Sequence, residues 1–319
     1  MDLNKLPELN FGTITLSTYG VIKVTGPDAL SFLHNQLTQD FLNLSTNQAR
    51  FCSFCNAKGR IQSSFIGLLS EQGDVLLVTS SDLIVQTVKR LSMFVLRSKV
   101  KIVDASADYT LSGVIGINDV PKEITPEYWS QFTQKSTESI NYWITLYPAC
   151  GQARYLRISS LLNPSSNEVS QRISPSNNDT KNEWDLSDIL SGVCLIGLPT
   201  FESFVPQMIN YESLEGVNFK KGCYPGQEVV ARSQFRGSIK RRGFIISSVS
   251  PLRDGQELFT PNDTSQPCGK IVRAARFNKS YFAFASIQTK ADGESHKIVT
   301  IDLEEVFIHP LPYALRDDI

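Results

Sequence analysis

Lys220-Lys221-Gly222-Cys223-Tyr224-Pro225-Gly226-Gln227-Glu228 sets one cysteine among cations and turn residues. The thiolate is the reactive form of cysteine, and neighbouring lysines and arginines favour it by opposing its charge. Gly222 and Pro225-Gly226 are backbone punctuation and predict a tight turn rather than a helix interior. Between residues 220 and 242 the cations are Lys220, Lys221, Arg232, Arg236, Lys240, Arg241 and Arg242, against one acid, Glu228. The whole chain carries a formal charge of -1, so this excess belongs to the segment. The residues alone leave two readings open: an activated thiol, or a surface cysteine on a solvated basic turn.

Outward from that stretch, 319 residues are too many for one small core and predict two or three packed units. Hydrophobic content of 41% and charged content of 20% are those of an ordinary globular chain. The near-neutral balance argues against wholesale coating of nucleic acid, although a local patch can still hold phosphate or carboxylate. No apolar run approaches the roughly 20 residues that span a bilayer. Met1 to Asn10 mixes Asp2, Lys5 and Glu8 with leucines and lacks the apolar core of a signal peptide. The expectation is a cytoplasmic protein with no membrane partner.

Six cysteines in such a chain do not imply disulfides. Cys52 and Cys55 form a C-x-x-C pair, but zinc would need two more close ligands, and the three histidines (His34, His296, His309) are scattered. No metal is expected there. The same scatter gives little support to a Ser-His-Asp or Cys-His system, and phosphoryl transfer lacks its glycine-rich loop.

Several elements are legible. Val21 to Val24 reads as a strand, and Thr25-Gly26-Pro27-Asp28 as the start of a helix with Leu30, Leu33 and Leu37 on one face, ending near Asp40. Ala57-Lys58-Gly59-Arg60 is a turn into a strand at Ile61 to Leu69, paired with Val75 to Thr79. A second helix is predicted from Ser81 to Arg97, with strand-like pieces at Val100 to Val103, Gly113 to Ile117 and Tyr155 to Ile158. Residues 163 to 183 are rich in Ser, Asn and Pro and read as a surface excursion. Order is expected to return at Trp184, with Leu186, Ile189, Leu190 and Val193 as a helical stripe. After Gly243, short β-type runs at Phe244 to Val249, Glu257 to Phe259, Cys268 to Val272, Tyr281 to Ile287 and Ile298 to Leu303 predict a small barrel or sandwich. The class is α+β. The boundary falls between a composite region, 1–242, built of two interleaved subdomains, and a C-terminal β-barrel, 243–319.

Two further clusters carry possible chemistry. Thr25 to Ala29 with Lys58-Gly59-Arg60 combines a helix N-terminus and a cationic turn, suited to an anion or simply to capping and solvation. Tyr19 and Trp184 are aromatics that could stack on a flat ligand or pack in a core.

Phe204-Val-Pro-Gln-Met-Ile-Asn210 and Gly216-Val-Asn-Phe-Lys-Lys-Gly-Cys-Tyr-Pro-Gly-Gln-Glu-Val-Val-Ala-Arg232 strongly resemble the YgfZ family of folate-binding proteins. Gly26 to Asp40, Asn56-Ala-Lys-Gly-Arg60 and His309-Pro-Leu-Pro-Tyr-Ala-Leu315 look like further signatures of that family, in the expected order. The resemblance implies a fold similar to the glycine-cleavage T-protein, a three-domain ring around a central hole that receives tetrahydrofolate or another folate derivative. It implies a role in modification of some tRNAs by methylthiolation, in maintaining iron–sulfur client enzymes including a tRNA methylthiotransferase, and a link to initiation of chromosome replication. Carried over by position, Cys223 is the reactive thiol with Lys221 beside it. Tyr19 stands where the family can place a folate-contacting tryptophan, and Trp184 at the second such position. Lys220 and Arg232 would meet the folate's carboxylates. A tyrosine at position 19 is smaller and lacks the indole N–H, and Cys52 is an extra beside the family's turn.

Two alternatives follow. One is a folate-dependent aminomethyltransferase of glycine-cleavage type. The other is direct tRNA contact through the basic 220–242 segment, with affinity falling steeply as salt rises. A monomer is expected in either case.

Overall fold

The computed structural model describes residues 6–10, 12–118, 120–161, 178–235, 239–289 and 297–316. Three sheets organise the chain. The first holds β2 (Tyr19–Thr25), β3 (Ala49–Cys55), β4 (Ile61–Leu69), β5 (Val75–Ser80) and β6 (Lys101–Asp104) in the order β3-β4-β5-β2-β6, all antiparallel. Successive residues of a strand point to opposite faces, and here the alternation separates two cores. Leu76 and Val78 face one core while Val75 and Leu77 face the other, and Val21 opposes Ile22 and Val24 in the same way. Helices α1 (Ala29–Gln36) and α2 (Ile84–Ser92) cover the second core.

The second sheet runs β1-β7-β10-β9-β8, from β1 (Gly12–Thr15), β7 (Thr110–Ile115), β8 (Gln131–Lys135), β9 (Ser139–Ala149) and β10 (Gln152–Leu161). Its end joins the first sheet by main-chain bonds: Ala49 N donates to Trp129 O at 2.7 Å and Gln131 N to Asn47 O at 2.9 Å. Helix α3 (Asn178–Ser191) completes the larger core, bringing Trp184, Leu186, Ile189 and Leu190.

The third sheet is a nearly closed six-stranded barrel, β12-β13-β14-β11-β16-β15, from β11 (Arg241–Ser248), β12 (Glu257–Leu258), β13 (Gly269–Phe277), β14 (Ser280–Gln288), β15 (Ile298–Val299) and β16 (Glu305–His309). Phe259 and Val299 exchange two backbone bonds of 2.9 Å and so draw the two edges together. Ala283, Ala285 and Ile287 fill the barrel, while Phe282 and Phe284 on the other face of β14 pack into the large core. Asn210, in the left-handed region (φ 62°), clamps the barrel's first strand. Its amide donates to Gly243 O and accepts from Gly243 N, both at 2.9 Å.

Most sequence expectations hold, with β4 matching residue for residue. The differences have local causes. Helix α1 stops at Gln36, not Asp40, because Leu37 turns extended and Thr38 N bonds Ser53 O at 3.0 Å on β3. Helix α2 stops at Ser92, after which Phe94 sends its ring edge-on to Phe54. Helix α3 starts at Asn178 rather than Trp184. Its polar first half is held by the barrel, where Arg276 N donates to Asn182 Oδ1 at 2.7 Å and Asn182 Nδ2 donates back to Arg276 O. Of the excursion expected at 163–183, residues 163–177 lie outside the described residues. Strands β1, β3, β8, β9 and β16 have no counterpart in the sequence reading. Among the described residues, no helix is long and apolar enough to cross a membrane.

Candidate functional site

A recess with about 30 Å³ of free space opens in the large core, walled in part by Tyr19, Phe51, Trp129, Tyr147 and Trp184, with Arg154 and Asp188 as its charged members. The first two sheets, helix α3 and the turns beside them supply the wall. Phe51 on β3 stacks on Trp129, in the turn that leads into β8 of the second sheet, at 4.9 Å and 5° between ring planes. Trp184 reaches the recess because position 113 is glycine: a Cβ there would lie 2.2 Å from the indole. Arg154 spreads its guanidinium over that indole, 4.5 Å from the ring centroid, which suits a cation–π contact.

The polar groups are tied to one another. Tyr19 Oη donates to Asp188 Oδ2 at 2.6 Å, and Arg154 donates to Asp188 Oδ1 and to Ser191 Oγ, the latter at 2.8 Å. Burial, with the Asp188 charge, pushes the Tyr19 hydroxyl well above its ordinary range, so it stays a donor. Behind this pair, Arg273 bonds Asp185 at 3.4 Å and Leu195 O at 3.1 Å. Burial raises the Asp185 carboxyl to about 6, against the pull of Arg273. One buried donor is left over: Arg154 Nε has no partner among the described residues. A buried N–H without an acceptor costs about 1–3 kcal/mol, and in a recess wall it is a ready contact for a ligand's acceptor atom.

Tyr19 and Trp184, singled out from sequence, thus meet in one recess. Their role differs from free stacking platforms. Trp184 has Gly113 on one side and Arg154 over its ring, so much of its surface is already covered. Lys220 and Arg232 do not line the recess. Lys220 is exposed, and Arg232 pairs on helix α4 (Gln227–Phe235) with exposed Glu228 four residues earlier, at 2.6 Å.

The Cys223 turn sits against the end of α1. Asn218 N donates to Thr38 O at 2.9 Å, and Asn218 Oδ1 accepts from Lys220 N and Lys221 N at 2.9 and 3.1 Å. The 56–60 turn packs on its far side, not on the N-terminus of α1 as the sequence suggested. Gly226 (φ 80°) approaches so closely that a Cβ would fall 2.3 Å from Asn56 O and 2.8 Å from Gly59. Gly26 instead meets Lys99 and Val100. Three separate sequence stretches therefore converge around one exposed thiol, Cys223.

Lys221 is half-buried, donates to Leu37 O at 3.1 Å and Gly222 O at 3.2 Å, and lies 4.5 Å from the Tyr224 ring centroid. Burial lowers its pKa to about 8, against the pull of Asp40 and Cys223. The basic run is largely engaged elsewhere. Arg242 reaches buried Glu212, Arg241 donates to Pro267 O at 3.0 Å, and Arg232 has Glu228, while Arg236 lies outside the described residues. Cys52 and Cys55 face different cores from β3, so they do not act as a pair; burial drives both thiols up, Cys55 to about 12.

Sequence reasoning missed Arg154, Asp188, Trp129, Phe51 and Tyr147. A signal existed for two of them. Arg154 is in phase with Leu156 and Ile158 on β10, and Asp188 lies one turn after Trp184, between Leu186 and Ile189. It also set aside the histidines, yet His34 Nε2 lies 3.5 Å from where a Cβ on Gly222 would stand.

Comparison with known proteins places this arrangement. A protein called tRNA-modifying protein YgfZ from Edwardsiella ictaluri (strain 93-146) is 32% identical over 305 residues, 92% of this chain and 89% of its own. The chain belongs to the YgfZ family. A second YgfZ, from Photorhabdus laumondii subsp. laumondii, is 25% identical over 314 residues, covering 96% of this chain and 93% of the relative. Residues 9–121 match the GCVT N-terminal domain model. The glycine cleavage system aminomethyltransferase T from Bartonella henselae shares the fold, with a TM-score of 0.64 over 96% of this chain and 87% of that one, at 15% identity.

Proposed function

We propose that this protein is a folate-binding accessory factor of tRNA modification, with the pterin end of the folate in the aromatic recess and Cys223 as a reactive thiol on a separate face. The observation that carries the ligand claim is the fully buried Arg154 Nε–H, without a partner among the described residues, in a wall made mostly of aromatic and aliphatic side chains. The recess has about 30 Å³ of free space, room for a water or two, so its walls must part to admit the ring system. A folate, when bound, supplies a carrier for one-carbon units. Arg154 would hold an acceptor atom of its ring system, Asp188 would fix Arg154 and Tyr19 in place, and Tyr147, Phe51 and Trp129 would cover its flat faces. In this reading Lys220 and Arg232 have no part in the recess, and any contact with the ligand's carboxylates would be made outside it.

The relatives' shared name supports a tRNA-modification role for this chain. Service to iron–sulfur enzymes, a methylthiotransferase among them, and a link to replication initiation belong to the same proposal, as does residence in the cytoplasm. Calorimetry with tetrahydrofolate tests the ligand: one saturable site in the wild type, lost in Trp184→Ala, is expected, and no saturable binding in the wild type would overturn it. Complementation tests Cys223. A Cys223→Ser protein should fail to restore tRNA methylthiolation in a deletion strain, and full restoration would remove the cysteine from the function.

A further inference from the structure

His34 stands on the last turn of α1, mostly buried at 8% exposure, with Nδ1 2.9 Å from Asp40 Oδ1. Asp40 is well placed to remain ionised. Burial acts against it, but hydrogen bonds from Asn43 and His34 hold its carboxyl below the usual range. An ionised Asp40 requires the proton of a neutral His34 to sit on Nδ1, which leaves the Nε2 lone pair unprotonated. That nitrogen lies beside Gly222, the residue before Cys223: a Cβ on Gly222 would stand 3.5 Å from it. Lys221 places its ammonium on the same side, within electrostatic reach of both Asp40 and Cys223.

We propose that His34, oriented by Asp40, is the proton acceptor for Cys223. The step moves the thiol proton from Sγ to Nε2 through a bridging water and gives a thiolate near an imidazolium. Asp40 stabilises the new positive charge and Lys221 the negative one; no electrons are transferred and nothing leaves. Orienter, base and nucleophile follow the arrangement by which weak nucleophiles are activated on many folds. The other charged or titratable groups around His34 and Asp40 are Arg50, whose Nε donates to Asp40 O at 3.2 Å, and buried Cys52, which faces Arg50 and Lys221. The inference rests on Cys223 being the reacting group of the proposed function, and it is tested apart from that function.

The experiment is the rate of alkylation of Cys223 by iodoacetamide, a neutral reagent, followed on the tryptic peptide by mass spectrometry from pH 6 to 9.5 in a Cys150→Ser background. A free thiol is only a few per cent thiolate at neutral pH, so loss of the acceptor should lower the rate at pH 7 by about tenfold. In His34→Gln that loss is expected at pH 7, with the two rates converging by pH 9.5 and added imidazole partly restoring the neutral rate. Superimposable profiles would overturn the proposal. A measurement that leaves His34 in place guards against misfolding: the His34 ring signals in NMR should titrate differently in wild type and Cys223→Ser, and identical titrations would equally refute the coupling. A failed complementation result leaves both readouts intact, so the two claims can fail separately.

Discussion

Replacing Asp188 by alanine should be among the most damaging single changes in this chain. The carboxylate is buried and engages both Tyr19 Oη and the Arg154 guanidinium, itself 1% exposed. Removing it strands a buried cation, which typically costs about 3–5 kcal/mol. Ser191 Oγ and Tyr147 O still accept from Arg154, so the lower part of that range is expected. With a urea slope of about 3 kcal/mol/M for a chain of this size, the midpoint should fall by roughly 1 M. The decisive comparison is a double-mutant cycle. Arg154→Met with Asp188→Leu removes both charges and fills the space with apolar atoms. Because the penalty lies in the unpaired charge, the double variant should be more stable than Asp188→Leu alone, with a coupling of about 2 kcal/mol. Tryptophan fluorescence against urea gives all four midpoints. If the two single costs simply add within about 0.5 kcal/mol, the pair is not the unit described here.

Other outcomes follow from the same geometry. Trp184→Ala should destabilise by about 3–5 kcal/mol through the cavity it leaves against Gly113, read from thermal melts. Gly226→Ala combines a φ of 80° with a Cβ 2.3 Å from Asn56 O, so the Cys223 turn must shift. A lower melting temperature and faster proteolysis between residues 218 and 230 are expected. His309 is buried against Ser247 Oγ at 2.8 Å, and burial lowers its pKa from 6.5. The unfolded chain then binds a proton that the folded one refuses, so stability should fall as pH drops through 6.5 and continue falling to the folded-state value. His309→Gln should flatten that slope in melts taken from pH 5 to 8.

The fold was legible where apolar pattern and punctuation agreed. Ile61 to Leu69, bounded by a Gly-Arg turn and a Gly-Asp turn, could be read residue for residue. Strand β9 was not, because Asn141, Thr145 and Pro148 interrupt its run and its partners lie on either side in space. The elements carrying the signature around Cys223 were legible as a motif, but their convergence was not: Thr38, Asn56 and Asn218 meet only in the folded chain. Tyr19 and Trp184 were legible as aromatics that could stack or pack, and the resemblance gave them a ligand. Arg154 and Asp188 escaped because a charged residue in an apolar phase looks like an exposed exception until its partner is seen.

The seam where Ala49 and Gln131 bond across two sheets has a kinetic consequence. Phe51 and Trp129 flank that seam, so their mutual stacking is set by main-chain bonds and cannot open by one sheet sliding on the other. The Phe51–Trp129 side of the recess is therefore set before any ligand arrives, and little of its ordering entropy remains to be lost on binding. The free space of about 30 Å³ is too small for a flat ring, so the other walls must part, and the association rate should level off at high ligand concentration as that opening becomes limiting.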